Sequence, residues 1–169
     1  MSSGEVVAEV QEISAPEQYK ALAHPLRQRL LWALGERPAT ISQLTAQLGV
    51  QKGNVAHHLK VLRDAGIVRV GEHRQVRGGT EQYYQRVARK LVSTMSEPDS
   101  TAAMLGAVAL EVSAAEDDAL LQLRHVRLSV GQAARLSETL SALVDEAVDA
   151  GRGAPRYGVL VGVYQRSAR

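Results

Sequence analysis

No cysteine occurs in the 169 residues of this chain. Disulfides, thiolate metal sites, redox switching and a cysteine nucleophile are therefore excluded. Phenylalanine is missing too, and five Tyr and one Trp are the only aromatics besides histidine, so Leu, Val and Ala must fill the core. Neither sign of charge is in excess: 20 Lys and Arg stand against 18 Asp and Glu, a net +2. Any basic surface must come from local placement rather than from the chain as a whole. No apolar run approaches the roughly 18 residues of a membrane span. The acidic start MSSGEVVAEVQEIS lacks the basic stretch that opens a signal peptide. A cytoplasmic chain with no membrane partner is expected. P-loop, nucleophile-elbow, HExxH and GxGxxG patterns do not occur, and RGG at 77–79 and GRG at 151–153 read as turn chemistry. An enzyme is not expected.

The local signals that do occur are mostly helical. Residues 1–14 read as an N-terminal extension, its first dozen a helix either frayed or bound to a partner. SAPE places Ser14 and Glu17 as a capping box. Pro25 starts a second helix, with Leu26, Leu30, Leu31 and Leu34 at helical spacing, closed by Gly35 and Pro38. Thr40-Ile41-Ser42-Gln43 is another capping box; its helix turns Ile41, Leu44 and Leu48 inward and takes Gly49 as a left-handed cap. The next helix carries His57 and His58 and ends at Gly66. IVRV, GEHRQVRGGT and EQYYQRV read as strand, loop, strand. The predicted fold class is α+β, mostly helical. A winged helix-turn-helix domain spans 15–90. The region 91–169 holds a helix around Ser100–Ala115 and a strand–helix–strand extension at 122–128, 130–150 and 157–165.

The paired histidines raise the question of a metal, and helical geometry answers it. Neighbours on a helix face different ways. At about 100° per residue, Val55, Leu59 and Leu62 form the inner stripe and His58 lies beside it. His57 lies nearly opposite, with Gly53, Lys60 and Asp64. His58 is expected to be structural, at the core edge with a bonded ring nitrogen; His57 is expected to face a nucleic-acid groove. An α-helix about 10–12 Å across fits the DNA major groove. Lys52 suits guanine, Asn54 suits adenine, and Gly53 clears space for close approach. His73, Arg74 and Arg77 are concentrated at the hairpin tip, where arginines clamp phosphates or enter a minor groove.

At this point ALAHPLRQRLLWAL, TISQLTAQLGVQKGNVAHHLKVLRDAGIV and RQVRGGTEQYYQ, in that order, resemble the ArsR-type winged-helix transcriptional regulators over about residues 17–90. The resemblance implies a homodimer on an imperfect palindrome in double-stranded promoter DNA, with a recognition helix from Gln51 to Lys60 and a wing at 72–80. The expected DNA-contacting set is Thr40, Gln51, Lys52, Gly53, Asn54, His57, Lys60, Arg74 and Arg77. Relatives often carry Ser where this chain has Gln51 and Ala56. The second half is similar, more loosely, to a non-metal subgroup. The Cys pairs or Asp/His sets of the family's metal sensors are not matched. Histidines 24, 57, 58, 73 and 125 include no helical i, i+4 pair, and Glu116, Asp117 and Asp118 read as a solvated cluster. No metal and no other cofactor is expected.

The 100–115 helix is the expected dimer element, through Met104, Leu105, Val108 and Val112; intrachain packing is its alternative. Residues 122–165 read as scaffolding or a dimer platform ahead of a ligand module, and an unidentified small-molecule effector stays open. Repression is favoured over activation, because a repressor needs only to occupy a promoter. The rival function is a winged-helix protein–protein or RNA module. Such a module should present apolar residues outward, where this helix presents Lys52, Asn54, His57 and Lys60.

Overall fold

The computed structural model describes residues 7–77, 79–93, 97–115, 120–151 and 153–165. The acidic run 116–118 and the first six residues lie outside them. The chain forms two compact units, Met1–Ala119 and Leu120–Arg169.

The first unit opens with β1 (Ala8–Ile13), α1 (Pro16–Leu22), α2 (Pro25–Glu36), α3 (Ile41–Leu48) and α4 (Lys52–Asp64). It continues with β2 (Val68–Val76), β3 (Gly79–Arg86), β4 (Ala88–Ser93) and α5 (Pro98–Ser113). Leu30, Leu44, Val55, Leu59, Leu62 and Ile67 are fully buried and form its centre. As the composition demanded, aliphatic side chains do most of the filling.

The extension expected as a helix is instead β1, which pairs in parallel with β4, Ala8 opposite Ala88 and Ile13 opposite Ser93. Ile13 is buried, and its carbonyl accepts the Tyr19 hydroxyl at 2.8 Å. The first capping box does not form as expected, because the helix starts one residue later at an alanine, and only the return half, from Gln18, is made. Ala15 is the N-cap, and Gln18 Oε1 accepts the amides of Ser14 and Ala15 at 3.1 and 3.2 Å. Glu17 remains exposed in the first turn, where its charge suits the helix dipole. Helix α2 runs through Gly35 to Glu36 before Arg37 ends it.

The helix-turn-helix follows its signals closely. Thr40 Oγ1 accepts the Gln43 amide at 3.2 Å while Gln43 Oε1 accepts the Thr40 amide at 2.9 Å. Gly49 ends α3 at φ 64°, a conformation that costs any residue with a Cβ. Helix α4 ends in a Schellman motif. Gly66 N–H donates to Arg63 O at 2.9 Å, and Ile67 N–H to Leu62 O at 3.0 Å. The buried pair Ile67 and Leu62 supplies the apolar contact that accompanies this motif.

The hairpin is longer in strand and shorter in loop than expected. β2 and β3 pair antiparallel up to Val76 opposite Gly79, with a bulge between Val70 and His73. His73 and Arg74, expected in a loop, are strand residues, and Arg74 sits opposite Glu81. Tyr84 and Ala39 exchange two backbone bonds, at 2.9 and 3.0 Å. These tie the hairpin to the chain entering α3, so wing and helix-turn-helix hold one mutual geometry.

Helix α5 packs on α1 and α2 through buried Ala103 and Ala107. Small side chains there allow close approach, and Ser100 Oγ donates to Tyr19 O at 3.0 Å. In the second unit α6 (Val130–Asp145) begins at a third capping box, in which Ser129 Oγ accepts the Gln132 amide at 3.2 Å. Segments 122–128 and 157–165, expected as strands, form no ladder among the described residues. Their alternating side chains are a strand pattern, but a strand also needs a neighbouring edge to bond to.

Candidate nucleic-acid interface

Helix α4 is seated by a stripe that leaves no choice of face. Val55, Leu59 and Leu62 are each 0% exposed. Gln51, Lys52, Gly53, Asn54, His57 and Lys60 are all exposed. The first turns of the helix therefore offer an ammonium, an amide and a gap without a side chain, as a base-reading helix requires. Gly53 has open space where a Cβ would stand, so no contact within the chain requires a glycine there.

Two members of the expected set have other commitments. Thr40 is 5% exposed and caps α3. Its hydroxyl accepts the Gln43 amide and so positions α3, leaving the O–H as its one free donor. Lys60 Nζ donates to Asp64 Oδ2 at 2.5 Å, both side chains being well exposed. That hydrogen bond holds the Asp64 carboxyl below the usual carboxylate range. A phosphate reaching Lys60 must compete with Asp64. Arg74 and Arg77 are exposed on the hairpin.

Behind the reading face lies a cluster that spacing alone did not reveal. His58 leans against His24, ring centroids 4.3 Å apart, and meets His57 edge-on at 5.2 Å. Its Nδ1 is 3.2 Å from an Arg27 guanidinium nitrogen. Arg27 also donates to the carbonyls of Ala21 and Lys20, joining the end of α1 to the recognition helix. His24 is itself the N-cap of α2, its Nδ1 accepting the Leu26 amide at 3.1 Å. His58 is thus a structural residue with a bonded ring nitrogen, as its position beside the inner stripe implied. Arg27 had no local signal; only the folded chain brings it to His58.

Burial pushes the His58 pKa down to about 4, with His24, Arg27 and His57 adding to the effect. The folded state therefore disfavours the proton that an unfolded histidine takes up near 6.5. The resulting stability is fully present above pH 6.5 and is lost as pH falls from there to about 4. Allowing for partial solvent access, the loss should be about 2 kcal/mol. Urea midpoints between pH 7 and 4 should fall more for the native chain than for His58→Gln, which keeps an acceptor for Arg27 but does not titrate. Parallel profiles would sink this account.

Among the described residues, no group of three or more His, Cys, Asp or Glu side chains is placed to hold a metal ion. A family model for a helix-turn-helix domain matches residues 22–71. The HTH-type transcriptional regulator CmtR of Mycobacterium bovis and Mycobacterium tuberculosis is 34% identical over 97 residues, which cover 56% of this chain and 82% of CmtR. Among solved structures, the cadmium metal-sensor CmtR from Mycobacterium tuberculosis is 27% identical, covering 66% of this chain and all of that one, with a TM-score of 0.35. The transcriptional repressor BigR from Xylella fastidiosa is 25% identical, covering 60% of this chain and 86% of that one, with a TM-score of 0.34. With the capped helix pair, the tethered hairpin and this degree of kinship, the chain belongs to the ArsR family of winged helix-turn-helix, DNA-binding transcriptional regulators.

Proposed function

We propose that the protein acts in the cytoplasm as a homodimeric repressor, reading a palindromic operator through α4 and gripping the flanking backbone with the β2–β3 wing. The observation that carries this is the two-sided character of α4. A stripe with no solvent exposure fixes its orientation, and Lys52, Asn54 and His57 then point outward. Gln51, Gly53 and Lys60 complete the reading face.

The dimer reading rests on α5. Ala103 and Ala107 use one face of it within the chain. Met104, Val108 and Val112 are only half-buried and Leu105 is 47% exposed on the other side. An apolar stripe opposite an occupied face fits a two-fold helix contact, and a dimer supplies the two half-sites, one DNA turn apart, that a single recognition helix cannot cover. Occupying a promoter is sufficient for repression. The chain falls on this reading in the non-metal subgroup, since it has no cysteine and no grouped ligands among its described residues. An effector, if one acts, is a small molecule of another kind.

Selection from a randomised duplex pool at near-physiological salt tests the whole reading. Enrichment of a two-fold symmetric motif is expected. A folded protein that enriches nothing would overturn it. Once an operator is in hand, Arg74→Ala and Arg77→Ala should weaken specific and non-specific duplexes alike. Each should lower the slope of log K against log salt by about 1. An unchanged slope would remove the wing from the backbone contacts.

A further inference from the structure

We infer that residues 120–165 are a second dimerisation element, in which segments 122–128 and 157–165 from two copies complete one β-sheet that the α6 helices cover. This rests on the homodimer reading and adds a contact separate from α5.

The described part of this unit has no buried residue of its own. Helix α6 is amphipathic, with Ala133, Leu136, Leu140, Leu143 and Val144 on one face. Yet Leu143 is 62% exposed, and Tyr157 and Val159 are 79% and 67% exposed. The pattern is that of a core without its other half. A piece of chain this small, with no disulfide, rarely gains enough from a core of its own to fold alone. Residues 157–164 alternate Tyr157, Val159, Val161, Val163 with Gly158, Leu160, Gly162, Tyr164, a strand pattern that forms no ladder among the described residues. Once these side chains are covered, the backbone N–H and C=O groups beneath them need partners too, and a ladder supplies them.

A second copy fits this need better than a partner of one charge. The described residues of the unit carry Arg124, Arg127, Arg135 and Arg156 against Glu138, Asp145, Glu146 and Asp149, so two copies meet without net repulsion. The signs are also separated along the chain. The first segment is basic, while the end of α6 and the residues after it are acidic, so a two-fold axis can set each against the other twice. The unit follows α5 after a short connection, so pairing of α5 raises the local concentration of one unit around its copy.

The test is hydrogen exchange on the full chain at concentrations above and below its dimerisation constant, alongside sedimentation. Amides in 122–128 and 157–164 should be protected in the dimer and lose protection on dilution. Val161→Asp should abolish that protection and weaken dimerisation at least tenfold, while α4 amides stay protected and report an intact first unit. Protection that survives dilution to monomer would overturn the inference, because the unit would then be completed within one chain. Fast exchange of both segments in a persistent dimer would overturn it while leaving the α5 dimer standing. A native chain that stays monomeric at every concentration would overturn the homodimer reading itself.

Discussion

Lys52→Ala combined with Asn54→Ala is expected to abolish discrimination between operator and scrambled duplex while the protein stays folded. Each side chain, if it makes a good base contact, contributes about 1–3 kcal/mol of discrimination. The two together give about 2–6 kcal/mol if their effects add, or 30-fold at the least. Both residues are exposed at the start of α4 and outside its buried stripe, so truncation should leave no cavity and little change in melting temperature. Anisotropy titrations against both duplexes separate the outcomes. Loss confined to the operator supports base reading. Equal loss on both would make these residues phosphate contacts, and no loss on either would move the reading surface elsewhere.

Leu59→Ala should have the largest effect on stability. Leu59 is fully buried and belongs to the stripe that seats the recognition helix on the core. Removing its side chain forfeits transfer free energy and leaves a cavity, costing about 2–5 kcal/mol. Leu59→Met, which conserves volume, should cost less than about 1.5 kcal/mol. Urea denaturation of the two variants tests this. An alanine variant within about 1 kcal/mol of the native chain would mean that the stripe is looser than its burial implies. Because the same stripe orients Lys52 and Asn54, DNA binding by Leu59→Ala should fail at temperatures where the methionine variant still binds.

These two variants mark the line between what was legible in the sequence and what was not. The α4 stripe, the Thr40–Gln43 box, and Gly49 and Gly66 were readable because each depends on a few neighbouring residues. The reading face followed from the stripe by rotation alone. Features that depend on a distant partner were not readable. MSSGEVVAEVQEIS carries no mark of the strand near residue 90 that β1 will join. His73 and Arg74 looked like loop residues because they are polar, yet the ladder from Val68 to Val76 includes both. Arg27 became a positioning residue only once His58 lay against it. Segments 122–128 and 157–165 show the converse, a strand pattern with no strand. Side-chain alternation is local information, whereas an edge to pair with is not.

The parallel pairing of β1 with β4 bears on how the chain comes off the ribosome. β1 is made early and β4 is made late, after the whole helix-turn-helix and hairpin have emerged. Helices α2 to α4 and the hairpin can form from contacts within residues 25–86, whereas β1 has no strand to pair with until Ala88–Ser93 is synthesised. Closing so large a loop is only modestly harder than closing a small one, but it has to wait for β4. The helix-turn-helix and hairpin can thus assemble first, and Ala8–Ile13 takes its place beside them only when β4 has emerged.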